Sequence, residues 1–142
     1  MIRLFVDSQT KHITMEQEFM LLIHNTMDHT AKLSPEEMQE FLKDCMVYIN
    51  RLVSEGKLKG AQPLVKEGKI ISGSKGSWKD GPFNESKEVI VGYYHILARD
   101  IDEAIAIAKE NPEFAYTSTA RIEVRPVKTV EVKSGFTYPS QK

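Results

Sequence analysis

The chain predicts an α+β fold, with one open antiparallel sheet and two helices packed on one of its faces. Three observations lead there. Short runs of β-branched and aromatic residues alternate with two segments of helical period. The run Glu18-Phe-Met-Leu-Leu-Ile-His24 is apolar throughout its interior, as a strand buried on both faces requires. A complete set of helix-start signals stands at Leu33 to Met38.

Taken in order, Met1 to Val6 has a short apolar pattern suited to an edge strand, whereas Asp7 to Gln17 is polar and follows no period. Residues 1–17 therefore read as an N-terminal extension, and Glu18 to His24 as the first core strand. Ser34-Pro35-Glu36-Glu37 supplies an N-cap, a proline at the first helical position and a capping-box glutamate, with Leu33 and Met38 as the hydrophobic staple. Met38, Phe41, Leu42, Cys45, Ile49, Leu52 and Val53 then lay one apolar stripe along a helix, which Gly56 closes.

Leu64-Val65-Lys66 and Lys69-Ile70-Ile71 read as a hairpin turned at Glu67-Gly68. Ser72 to Asp80, with Gly73 and Gly76, reads as a loop whose one large apolar residue is Trp78. Lys87 to Ala98 is long and β-rich enough for a central strand, and Gly92 marks a bulge or a close backbone approach. Asp100 and Glu103 cap a second helix with Ile101, Ala104, Ile105 and Ala108 facing inward, and Asn111-Pro112 stops it. Arg121 to Arg125 alternates as the last strand of a domain spanning 18–127. Lys128 to Lys133, in a C-terminal extension 128–142, alternates again and is expected to pair with the N-terminal strand.

Strand, helix, hairpin, strand, helix, strand is the order of the ferredoxin-like motif with one hairpin added. Helices on one face leave the other face of the sheet to be covered. A homodimer joined sheet to sheet answers that need; the alternative is a monomer whose terminal extensions cover it.

Composition bounds the function. A chain of 142 residues with 41% hydrophobic content builds one domain with a real core. The balance of 19 basic against 20 acidic residues gives no field favouring nucleic acid or an anionic membrane, so neither is an expected partner. No apolar run approaches the roughly 18 residues of a membrane span, and no secretory signal pattern opens the chain. Cys45, the single cysteine, suits a reducing compartment, and cytoplasmic location is expected.

Several residues carry chemistry. Asp80-Gly81-Pro82-Phe83 has the composition of a turn, in which aspartate bonds forward, glycine allows positive φ and proline fixes the next φ. Asp80 is then placed to act as a ligand contact or general base at the mouth of a cleft. His24, Asp28 and His29 cluster where the first strand leaves the sheet, and His95 shares a strand face with Tyr93. The candidate catalytic residues are Asp80, His24 and His95, against the plainer readings of turn former, solvated histidine and hydrogen-bonded core histidine. No ligand spacing points to a metal. Gly73-Ser-Lys-Gly-Ser77 lacks the ending of a phosphate loop, so no cofactor is implied.

Phe19 to Ile23, Leu33 to Met38, Asp80-Gly-Pro-Phe83, Gly92-Tyr-Tyr94 and Ile122 to Val127 together resemble the DGPF group of YCII-related proteins. The resemblance covers residues 18 to 127 and implies a dimeric α+β barrel. Some relatives in the wider group pair an aspartate just after the first strand with a histidine on the first helix. Those positions fall near Asn25 and Cys45 here, and neither residue performs that task. The resemblance implies no settled reaction. Two functions follow as expectations: a small-molecule site near Asp80, with proton transfer as its chemistry, and a non-catalytic regulatory module of the kind that family members linked with sigma factors suggest.

Overall fold

The structure, a computed structural model, describes residues 3–6, 13–82 and 88–139, with the backbone alone at 3–6, 13–15 and 82. Its strands are β1 (Arg3–Val6), β2 (Ile13–Thr26), β3 (Leu58–Pro63), β4 (Lys69–Ser74), β5 (Ser77–Pro82), β6 (Glu88–Ala98) and β7 (Arg121–Pro126). The helices are α1 (Pro35–Ser54), α2 (Ile101–Lys109) and the short α3 (Glu113–Tyr116). β2 and β6 run antiparallel at the centre, β3 pairs β6, and β7 pairs β2. The order β7-β2-β6-β3, with α1 joining β2 to β3 and α2 joining β6 to β7, is the expected ferredoxin-like arrangement.

Alternation sorts the two central strands. Phe19, Leu21 and Ile23 of β2, with Tyr94, Ile96 and Ala98 of β6, are buried beneath the helices. The alternate residues Met20, Leu22, His24, Tyr93 and His95 form the opposite, open face.

The capping box of α1 is present, with the Glu37 amide donating to Ser34 Oγ at 3.1 Å and the Ser34 amide to Glu37 Oε1 at 3.0 Å. At its other end Gly56 takes φ +69°, so the amides of Gly56 and Lys57 reach back to Val53 O and Leu52 O at 3.0 and 2.8 Å. The stripe is wider than its contact with the sheet. Phe41 and Leu52 are buried, but Leu42 and Val53 are exposed. Tyr48, outside the expected stripe, enters the core because its hydroxyl finds Ile107 O at 2.7 Å. In α2, Asp100 caps the first turn as expected. Ala104, Ile107 and Ala108 face inward, and Ile101 and Ile105 do not.

The middle of the chain departs from the sequence reading. Leu58 to Pro63 is an edge strand that its few apolar residues conceal. The hairpin lies later, β4 against β5, turning at Lys75-Gly76. Gly76 at φ +85° makes that turn, whereas Gly68 has no positive φ and makes none. The expected loop from Ser72 to Asp80 is thus most of a two-stranded arm, and every residue from 62 to 80 is exposed. Asp80 and Gly81 are strand residues opposite Ile71 and Ile70, Gly81 has no positive φ, and Phe83 lies outside the described residues. At the N-terminal side β2 extends back to Ile13 and pairs with β1. Lys128 to Lys133 does not pair with that strand; Val130 bridges Thr137 instead. Among the described residues no helix is long and apolar enough to cross a membrane.

Candidate functional site

Gly92 does both things expected of it. Between Ile23↔Gly92 and His24↔Ile90 the register slips, so Val91 bulges. A side chain at Gly92 would stand 3.1 Å from Gln62 O and 3.3 Å from Pro63 Cα. β3 therefore lies tight on β6 here, and the space it leaves is bounded by α1. The result is a partly open cavity of about 160 Å³. Its walls are largely apolar, with Ile23, Phe41, Ile49 and Val91 prominent, while His29, Cys45, Asn111 and Glu113 stand at its polar side.

The polar side is built around Asn25, the last residue of β2 to point under the helices, which is fully buried. Its Nδ2 donates to Glu113 Oε2 at 2.8 Å and to Thr117 Oγ1 at 3.0 Å. Its Oδ1 accepts from Thr119 Oγ1 at 2.6 Å and from the Thr26 amide at 2.8 Å. Every hydrogen-bonding group of the amide is in use, which fixes its orientation. Glu113, 5% exposed, opens α3, and its amide donates to Asn111 Oδ1 at 2.8 Å. His29 Nε2 lies 3.4 Å from Glu113 Oε2.

Two atoms here are left over. His29 Nδ1 and Asn111 Nδ2 are buried and bond to no protein group. In the tautomer that puts the ring proton on Nε2, facing the carboxylate, Nδ1 is a bare acceptor. Asn111 spends its carbonyl on the Glu113 amide, so its Nδ2 is a free donor. Cys45 is not the reactive group: burial first, then the charges of Glu113 and Asp44, push its thiol up to about 11.

The three sequence candidates lie elsewhere. His24 and His95 both stand on the open face. His24 Nε2 lies 2.9 Å from Glu123 and its Nδ1 3.6 Å from Glu88, while Glu88 also pairs with Arg121. The Arg121 hydrogen bond holds the Glu88 carboxyl below its ordinary value. His95 Nε2 meets Glu18 Oε1 at 2.8 Å, and Lys59 reaches the same oxygen at 3.4 Å. His95 pairs in register with Met20, four residues along β2 from His24, roughly 13 Å at the usual strand rise. Asp80 is on the exposed arm, where it borders a shallow apolar surface with Ile71 and Trp78. Neither histidine lines that surface.

Glu113 and Asn111 escaped the sequence reading, which treated Asn111-Pro112 as a helix stop. No spacing separates Glu113 from the exposed Glu110; only the fold does. The positions that the resemblance assigns to an aspartate and a histidine, Asn25 and Cys45, both belong to this region. Carboxylate and imidazole reach it instead from Glu113 and His29. Among the described residues no three His, Cys, Asp or Glu side chains are grouped to hold a metal ion.

A family model described as YCII-related domain matches residues 18–130. A protein of Rhizobium meliloti (strain 1021), described only as uncharacterized, is 32% identical over 113 residues, which are 77% of this chain and 90% of that protein. The chain belongs to the YCII-related domain family.

Proposed function

We propose that this domain binds a small molecule in the cavity between α1 and the β3–β6 edge and moves a proton there. His29 Nδ1 is the base, and Glu113 holds the ring through Nε2. One observation carries the reading: a half-buried histidine, paired to a carboxylate on one nitrogen, has its other nitrogen buried and unbonded at an apolar cavity. Asn25 holds Glu113 by donating to it, so the carboxylate cannot swing from the ring without breaking a buried hydrogen bond. This reading places the chemistry at His29 and away from the arm that carries Asp80.

The test is a fragment screen followed by imidazole NMR. Fragments that bind the cavity should shift the ring signals of His29 and leave those of His24 and His95 in place. Binding should fall at least tenfold in His29→Ala and stay unchanged in Asp80→Ala. Binding lost in Asp80→Ala and kept in His29→Ala would return the site to the arm.

The same reading includes a homodimer built on the open face. Its support is that Met20, Leu22 and Tyr93 stand there only partly buried among the described residues. Light scattering should give twice the chain mass, and a value near 16.2 kDa would refute it. A second reading, a non-catalytic interaction module, is favoured by the arm itself, where Ile71 and Trp78 are 71% and 67% exposed. It requires that Trp78→Ala abolish capture of one reproducible protein partner while His29→Ala leaves capture intact.

A further inference from the structure

Resting on the cavity reading, we infer that the ligand is uncharged, about the size of one ring, and carries a hydroxyl at its polar end. Size comes first. The cavity of about 160 Å³ is close to the ~150 Å³ apolar cavities that take up benzene. Its walls supply the matching apolar contacts through Ile23, Phe41, Ile49 and Val91.

Charge comes second. No lysine or arginine lines the cavity; its ionisable groups are Glu113, His29, the Cys45 thiol and the Tyr94 hydroxyl. The cation Arg51 does not line the cavity and is already paired with Glu110. A carboxylate or phosphate entering the cavity would lose its hydration and face Glu113 with no fixed cation to receive it. Anions are therefore rejected by the wall itself.

Hydrogen-bonding inventory comes third. The polar side holds two buried atoms without a protein partner, the donor Asn111 Nδ2 and the acceptor His29 Nδ1, beside the same glutamate and with Tyr94 next to them in the wall. A hydroxyl is the simplest group that both gives one hydrogen bond and receives another. A carbonyl satisfies Asn111 and leaves His29 bare, and an ammonium gives to His29 but has no lone pair for Asn111. Toluene satisfies neither atom.

Four probes built on one benzene ring separate these terms: benzyl alcohol, toluene, benzoate and benzylamine, titrated into the full chain by NMR. Benzyl alcohol should bind tightest, with toluene several-fold weaker and benzoate at least tenfold weaker. Glu113→Gln should narrow the gap between benzyl alcohol and benzoate. Asn111→Leu should weaken benzyl alcohol towards toluene, and Asn111→Ser, which keeps an acceptor for the Glu113 amide, guards against a folding failure. Benzoate binding as well as the alcohol, with His29 signals moving and binding lost in His29→Ala, would overturn the ligand class and leave the site standing. None of the four probes moving His29 would overturn both.

Discussion

The two faces of the central sheet both pair histidine with glutamate, and they do so to different ends. On the open face His24 and His95 meet Glu123, Glu88 and Glu18, and each carboxylate is shared with Arg121, Arg125 or Lys59. The His24 ladder lies at the surface with water close at hand, whereas Glu18 is as buried as Glu113 and is balanced by Lys59. Under the helices His29 meets one glutamate, and that glutamate is anchored by the amide of Asn25 rather than by a cation. His29 has one ring nitrogen, Nδ1, without a protein partner, while both ring nitrogens of His24 lie near carboxylates. The pairing of residue types is the same; what surrounds the carboxylate decides the use.

If that contrast is right, breaking the buried cluster should cost far more than breaking a ladder. Asn25→Ala removes four hydrogen bonds at a fully buried position and strands the Glu113 carboxylate. It should lower the unfolding free energy by about 3 kcal/mol, measured by urea titration. A loss under about 1 kcal/mol would mean that water reaches Glu113 and that the cluster is not buried in solution. Gly92→Val comes next, at about 2 kcal/mol, because its side chain has to push β3 off β6 where Gln62 O stands 3.1 Å from the first added carbon. It should also close the cavity, so that the fragment binding proposed above disappears while the open-face histidine signals stay put.

The frame of this contrast was legible in the sequence, and the site only in part. The buried run through Ile23, the capping box at Ser34, the close approach at Gly92 and the second helix at Asp100 rest on local rules of period, cap and backbone space. The structure obeys the last three, while of the run, expected to be buried on both faces, it buries Phe19, Leu21 and Ile23 and leaves Met20 and Leu22 only partly buried on the open face. β3 was missed because an edge strand with one covered face needs only Leu58 and Ala61 to be apolar. The Asp80 tetrapeptide was misread because the rules for turn composition permit an extended strand equally well, and the arm has no core to mark its strands. The cluster itself joins residues 88 positions apart, Asn25 and Glu113, and no local rule reaches across that gap. The departure from aspartate at Asn25 was visible, however, and it now has a cause. An aspartate there would set two carboxylates against each other at hydrogen-bond distance, whereas an amide donates.

Cys45 offers a smaller and cleaner measure of the buried side. Its thiol is pushed up to about 11, by burial first and by the Glu113 charge next. Being the single cysteine, it reports alone when alkylated. In the native chain, iodoacetamide should react slowly at neutral pH, with the rate rising through a midpoint near 11. Glu113→Gln removes the second cause and keeps the first, so the midpoint should fall while staying above the ordinary 9.0. A midpoint that does not move would separate Cys45 electrically from Glu113 and dissolve the shared site.

The smallest effect belongs to the open face, and its size depends on whether a second chain lies there. In a single chain His24 and Glu123 are 22% and 43% exposed, so water replaces their contact readily. Glutamine also keeps a donor within reach of the carboxylate. His24→Gln should therefore cost under about 0.5 kcal/mol at protein concentrations where light scattering finds one chain per particle, and salt should shrink even that. Where two chains associate through this face the ladder is shut away from water, and the same substitution should cost more and weaken association. Equal, small costs at both concentrations would put the dimer contact on another surface, and the open-face histidines would then be solvent ladders and nothing else.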